Sequence, residues 1–264
     1  MPVKMLLTLV CLLLACAGAG AQSPAPKRVP PTAGARQLIL VTTRDWDAVA
    51  GTLRRFERKS ARVSWSQVGA DVPVVVGRAG LAWGVGLVAP PATSGTSKTS
   101  APSKREGDGK APAGVFRLGP AFGFATRREA AWLRTAYTPL TPSTECVDDV
   151  ASRHYNLIVD RGALKAADWN SSERMREVEG YRWGLVVAHN AAPPVAGLGS
   201  CIFLHVWAGP EKGTAGCTAM EQANLETLLR WLDPSKTPLL VQLPEAEYAR
   251  LRAGWSLPPP KPAR

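Results

Sequence analysis

A mainly β, sandwich-like domain with a few short helices is the fold class the sequence predicts. Short runs rich in β-branched and aromatic residues recur along most of the 264-residue chain. Turn signals built on Gly, Pro, Asn and Asp separate most of these runs, while helical spacing of apolar residues is confined to a few segments. There is no internal repeat. In chain order, QLILVTT at residues 37–43 reads as a strand. Residues 45–58 place Trp46, Val49, Leu53 and Phe56 at helical spacing, with Thr43 or Asp45 as the cap. Residues 62–65 and 72–76 read as strands, and GLAWGVGLV at 80–88 as an apolar strand interrupted by glycines. A Ser/Thr/Lys-rich loop at 92–105 leads into a Gly-rich turn at 106–114 and a strand at 115–118. Further strands are expected at 155–160, 181–189 and 200–207. Met220, Leu225, Leu228, Leu229 and Trp231 then predict a helix following the turn at Cys217, and residues 239–243 supply a closing strand.

The ends of the chain differ from this pattern. Residues 1–21 combine Lys4, an apolar run from Met5 to Cys16, and Ala19-Gly20-Ala21. That is the layout of a secretory signal peptide with an A-x-A cleavage site. The apolar run is short of the roughly 20 residues a membrane span needs. Leu13-Leu14-Ala15-Cys16 also resembles a lipobox, which would put a lipid anchor on Cys16 instead. No other apolar stretch is long enough to span a bilayer, so an exported protein of the periplasm or cell envelope is expected. Residues 22–36, rich in Pro, Ala and basic residues, read as a disordered linker, and 256–264 as a Pro-rich tail. The folded domain is then 37–255, with its core at about 74–243.

The net charge of +11 is scattered along the chain rather than clustered, which weakens a nucleic-acid reading. For an exported chain anionic envelope polymers or lipid surfaces are the better partners, and solvated surface accounts for most of the charge. The nine tryptophans are equally dispersed and read as packing groups. Beyond the signal, three cysteines remain: Cys146, Cys201 and Cys217. In an oxidising compartment one economical solution is a Cys146–Cys201 disulfide with Cys217 free. Three free thiols, or a bridge through Cys217 that would silence it, are the alternatives.

The most informative stretch is HVWAGPEKGTAGC, residues 205–217. It places His205 on a strand and Cys217 after a small-residue turn. A histidine that takes a thiol proton, and a thiolate that attacks a carbonyl, are what thiol-based acyl transfer needs. An adjacent helix N-terminus would help lower the thiol pKa. Backbone N–H groups around Gly216 and Cys217 are candidate oxyanion donors, and Thr214 could bond the pair or the substrate. His189 is a candidate for the same cleft, and His154 for a structural hydrogen bond. Asp108 either binds substrate or forms its turn. Arg153, Arg174 and Arg182 are candidate carboxylate clamps. A metal site of His189, His205 and Cys217 matches no compact zinc spacing. No metal or cofactor is expected, and the chain is expected to be a monomer.

Three segments in order resemble the L,D-transpeptidase catalytic domain family, also called YkuD-like. They are EGDGKAPAGVFRL at 106–118, YRWGLVVAHN at 181–190, and HVWAGPEKGTAGC. The resemblance implies a YkuD-like β-sandwich, peptidoglycan as partner, and attack by the cysteine on the amide between the third stem residue, a diaminoacid, and terminal D-alanine. An amine acceptor then makes the enzyme a transpeptidase. Water makes it a carboxypeptidase or peptidoglycan–protein amidase, and loss of reactivity leaves an inactive wall-binding module. Departures accompany the likeness. Ala215 stands where many members carry His, Ala219 where many carry Arg, and the His205-to-Cys217 spacing is short.

Overall fold

The computed structural model describes residues 29–90, 101–191 and 193–260. The expected export signal, with its lipid-anchor alternative at Cys16, lies outside them, as does most of the loop expected at 92–105. The described part is mainly β. Its strands are β1 (Gln37–Thr43), β2 (Ala50–Glu57), β3 (Ser66–Val75), β4 (Leu81–Trp83), β5 (Ala111–Gly123), β6 (Tyr137–Pro139) and β7 (Thr144–Val147). They continue with β8 (Ile158–Asp160), β9 (Ser172–Arg174), β10 (Trp183–Val187), β11 (Phe203–Val206) and β12 (Thr218–Met220). Helix α1 (Gln222–Trp231) follows, then β13 (Leu239–Pro244) and α2 (Glu245–Trp255).

The main sheet runs β10-β11-β12-β3-β2-β1-β13-β5-β4. Its layers are continuous, because β5 is long enough to serve two partners. Residues 114–117 pair with β13 and residues 118–123 with β10, so the path returns to its first strand. A strand that changes partner in this way turns the corner of a layered β fold. All seven residues of β1 are buried. The strand lies parallel to β13 and antiparallel to β2, covered on both faces, which is why it reads as an uninterrupted run. Leu225, Leu228 and Leu229 of α1, with Tyr248 and Leu251 of α2, join this main core. Each fully buried leucine contributes about 1.5–3 kcal/mol.

A second, smaller core gathers Phe122, Met175, Tyr181, Phe203 and Cys217 around the Cys146–Cys201 disulfide. The three-stranded sheet β8-β7-β9 supplies Cys146 to it from β7. Alternation along β11 separates the two cores: Leu204 belongs to the main one and Phe203 to the second.

Several local expectations are corrected. Residues 45–58 form a loop and β2, not a helix. Leu53 and Phe56 are both buried although three apart, because β2 is covered on each face at one point. That spacing imitates a helical stripe. Asp45 accepts the N–H groups of Asp47 and Ala48 at 3.0 and 2.8 Å in a turn. Residues 62–65 form no strand. Trp65 plugs the fold there, with the Arg58 guanidinium 4.1 Å over its ring and its indole N–H on Ser256 O. Of 80–88, only β4 is strand, since Val85 and Leu87 face solvent. The turn at Cys217 leads first into β12, whose pairing with β11 delays the helix to Gln222.

The linker and tail expectations also change. Thr32 is fully buried and donates to Trp255 O at 2.6 Å, and Arg58 donates to Ala35 O at 2.8 Å and to Thr32 O. Leu257 is buried, and the Tyr248 hydroxyl donates to Pro258 O at 2.7 Å. Hydrogen bonds from the fold hold these segments, so their composition carries no apolar signature.

Candidate active site

Parallel pairing of β11 and β12 places Leu204 opposite Thr218 and His205 opposite Ala219. One step back, Cys217 falls beside Phe203. Alternation along both strands then puts His205 and Cys217 on the same face. The Phe203 N–H donates to Cys217 Sγ at 3.3 Å, and the thiol donates to Cys201 O at 3.5 Å. Cys201 has φ 54°, and Asn156 Oδ1 accepts its N–H at 2.9 Å. The disulfide and Asn156 therefore fix the carbonyl that receives the thiol. Cys217 is the free cysteine of the described residues, and it is 6% exposed.

Thr214 shapes the turn ahead of the cysteine. Its hydroxyl accepts the Gly216 N–H at 3.1 Å and donates to Cys217 O at 2.6 Å. Gly216 suits a close approach, since a Cβ there would press to 3.2 Å from Lys110 O and 3.3 Å from Ile202 Cδ1. The Gly216 N–H, expected as an oxyanion donor, is instead bonded to Thr214.

His205 Nδ1 lies 2.8 Å from Val206 O. A carbonyl only accepts, so Nδ1 carries the proton and Nε2 holds the basic lone pair. The ring stands edge-on to Tyr181 with centroids 5.2 Å apart. Gly180 abuts it: a Cβ there would sit 2.6 Å from Val206 O and 3.1 Å from Nδ1.

Electrostatics overturn the expected low thiol pKa. Burial, followed by the charge of Glu173, pushes Cys217 up to about 12. The Phe203 N–H, the Tyr181 hydroxyl and the Lys104 ammonium act the other way without prevailing. Burial also lowers His205. The resting site thus pairs a neutral thiol with a neutral imidazole. The start of α1 at Gln222 leaves the helix dipole, which acts within about one turn, remote from the sulfur.

Two cavities meet at Cys217. One of about 150 Å³ is lined by Arg78, Lys104, Glu106, Asp148 and Glu173 as well as the cysteine. The other, about 390 Å³, is more apolar and exposes Val178, Tyr181, His205, Trp207 and Thr214. Sequence reasoning missed Arg78, Lys104, Glu173 and Tyr181. Each comes from a different segment. Tyr181 opens the quoted segment at 181–190, but nothing there marks it as a neighbour of the cysteine, and the other three lie in no residue pattern that marks them for the site.

The remaining candidates have other roles. Asp108 accepts from buried Lys104 Nζ at 2.7 Å and from the Arg105 and Lys110 N–H groups at 2.8 and 2.9 Å. It forms its turn and steadies Lys104. His154 bonds Asp168 at 3.0 Å. Arg153, Arg174 and Arg182 pair with Asp168, Glu177 and Glu179, and none lines either cavity. Among the described residues no three His, Cys, Asp or Glu side chains gather to hold a metal ion.

His189 is 1% exposed and lines neither cavity. Its Nδ1 accepts the Val85 N–H at 3.2 Å, and Nε2 donates to Leu198 O at 2.9 Å. Burial lowers its pKa from 6.5 to about 4. Between those values the unfolded chain binds a proton that the folded chain refuses. Stability therefore falls as pH drops through this window, by up to about 3 kcal/mol. Urea denaturation at pH 7 and 4.5 should show this loss, and His189→Gln should flatten it. An equal loss in the variant would assign the effect elsewhere.

Fold and site define a catalytic-type β domain in which neighbouring parallel strands present a histidine and a buried cysteine on one face. Residues 57–241 match the family model of the L,D-transpeptidase catalytic domain, YkuD, and the chain belongs to that family. No curated protein and no solved structure gives a significant match. The matched region contains both β11 and β12, whereas the central strand β1 precedes it.

Proposed function

We propose that this chain is an exported L,D-transpeptidase working through a Cys217 acyl-enzyme. The family acts on peptidoglycan. The observation that supports the finer reading is the β11–β12 register, by which His205 and Cys217 share one face, the cysteine lining both cavities and the histidine the larger one. The neutral pair acts by general-base catalysis. As Cys217 Sγ attacks the stem carbonyl, its proton passes to His205 Nε2. The tetrahedral intermediate collapses, and D-alanine leaves with that proton. An amine from a second stem then attacks the thioester, loses a proton to His205, and restores the thiol. Residues 1–21 support export to the periplasm or cell envelope, by cleavage or by lipidation at Cys16.

The smaller cavity suits the zwitterionic end of a diaminoacid. Arg78 is exposed and forms no ion pair among the described residues, and Lys104 lies beside it. Together they replace the cation absent at Ala219. Arg78→Ala should lower kcat/KM for a tetrapeptide donor roughly 10- to 100-fold, the range for a lost charged hydrogen bond, with partial recovery in Arg78→Lys. Unchanged kinetics would remove Arg78 from the donor site.

The central test incubates the protein with a disaccharide-tetrapeptide, with and without an amine acceptor. D-alanine release and a new cross-link are expected. Release without a cross-link would make the enzyme a hydrolase. A carbapenem adduct should map to the peptide containing Cys217, and a chain that takes none would be a wall-binding module.

A further inference from the structure

Glu173, Tyr181 and Cys217 form a chain that the mechanism above does not use. The Tyr181 hydroxyl donates to Glu173 Oε2 at 2.6 Å, and Tyr181 shares a buried cluster and a cavity wall with Cys217. All three residues line the larger cavity, and Glu173 borders the smaller one too. Tyr181 is 3% exposed and held by edge contacts to Phe122, Phe203 and His205, with centroids 5.5, 5.4 and 5.2 Å away. Its ring cannot swing, so only its proton has a choice.

A phenol has one proton to donate. When Glu173 is ionised it takes that proton's hydrogen bond, and the sulfur keeps the Phe203 N–H but gains no donor from Tyr181, beside a negative charge. When Glu173 is protonated, its own O–H donates to Tyr181 Oη. The phenolic proton then turns to the sulfur. We propose that Glu173 is a positioning residue whose protonation aims the Tyr181 hydroxyl at Cys217 and so raises the acidity of the thiol. No proton crosses between the three groups; only the direction of two hydrogen bonds changes.

The surroundings favour the protonated form of Glu173 more than water does. Burial raises its pKa, the Tyr181 hydrogen bond opposes this, and the charges of Asp148 and Glu106 add to the rise. Lys104 faces the sulfur, His205 stands against Tyr181, and Arg78 lines the smaller cavity. Glu173 lies on β9 opposite Cys146, so the disulfide-bearing strand fixes its position.

The inference rests on Cys217 being the reactive thiol, but its test needs no peptidoglycan turnover. The rate of Cys217 alkylation by iodoacetamide is followed against pH by intact mass on the full chain with its disulfide intact. In the wild type the rate should rise with pH, pause in a shoulder as Glu173 ionises, then rise again. Glu173→Met removes the competing acceptor and should alkylate at least about tenfold faster at pH 8, one unit of thiol pKa. Tyr181→Phe should weaken the shoulder to what the Glu173 charge alone produces, and adding Glu173→Met to it should give a clearly smaller gain than in the parent background. A gain that persists undiminished in the Tyr181→Phe background would mean that charge alone acts, and the proposal fails. No gain in Glu173→Met also overturns it, as does a thiol that no variant exposes to the reagent. If Glu173→Met does not fold, the wild-type and Tyr181→Phe profiles decide, a shoulder undiminished in Tyr181→Phe being the adverse result. Lost cross-linking with this pH behaviour intact would instead count against the proposed function.

Discussion

Cys217→Ser should keep the fold and lose the chemistry, whereas Cys217→Ala should lose the chemistry and part of the stability. The sulfur has two tasks here. It accepts the Phe203 N–H at 3.3 Å in a buried setting, and it is the proposed nucleophile. Serine still offers an acceptor at that point, so its melting temperature should stay close to the parent's. Alanine strands a buried N–H and should cost about 1–3 kcal/mol. In both variants stem turnover and carbapenem acylation should fall by about 10⁴-fold or more, as expected for removal of a covalent nucleophile. Mass spectrometry of the adduct and calorimetry of the apo proteins measure the two effects separately. A serine variant that still forms the adduct would place the nucleophile elsewhere.

Removing the disulfide should have the largest effect on stability. Cys146 and Cys201 are 55 residues apart, and closing a loop of that length constrains the unfolded chain by about 4 kcal/mol. The bridge also pins the Cys201 carbonyl that receives the Cys217 thiol. The double variant Cys146→Ser/Cys201→Ser avoids leaving a stray thiol near the nucleophile. It should unfold at a melting temperature roughly 10 °C lower. It should also acylate more slowly, because the segment ahead of β11 is no longer fixed. A double variant within about 1 kcal/mol of the parent by urea denaturation would show that packing, and not the bridge, orders this region.

The sequence revealed the parts of this protein that are local. Apolar runs marked β1, β5, β10, β11 and β13, and the short segment from His205 to Cys217 carried both candidate reactive groups. The disulfide was accessible because so few cysteines remained to pair. What stayed hidden depends on cover from distant elements. Leu53 and Phe56 imitate a helix because different partners bury opposite faces of β2. Thr32 is ordered by Arg58 and Trp255 and by nothing in its own neighbourhood. The thiol environment was misjudged for a similar reason. Nothing near Cys217 in the chain announces the burial imposed by Tyr181 and Phe203, or the charge brought by Glu173 from β9. Arg78 and Lys104 reach the site from two further turns.

The position of β11 has a consequence for recognition. It lies between β10 and β12, and the sheet path returns to β10 through β5. Among the described residues, then, β11 has no free edge to offer a visiting peptide, and the strand edge that borders both hollows at the sulfur is β9, which carries Glu173. Under the proposed function, a stem enters through those hollows and meets their head-group and charge complementarity there, with β9 alone available for main-chain pairing.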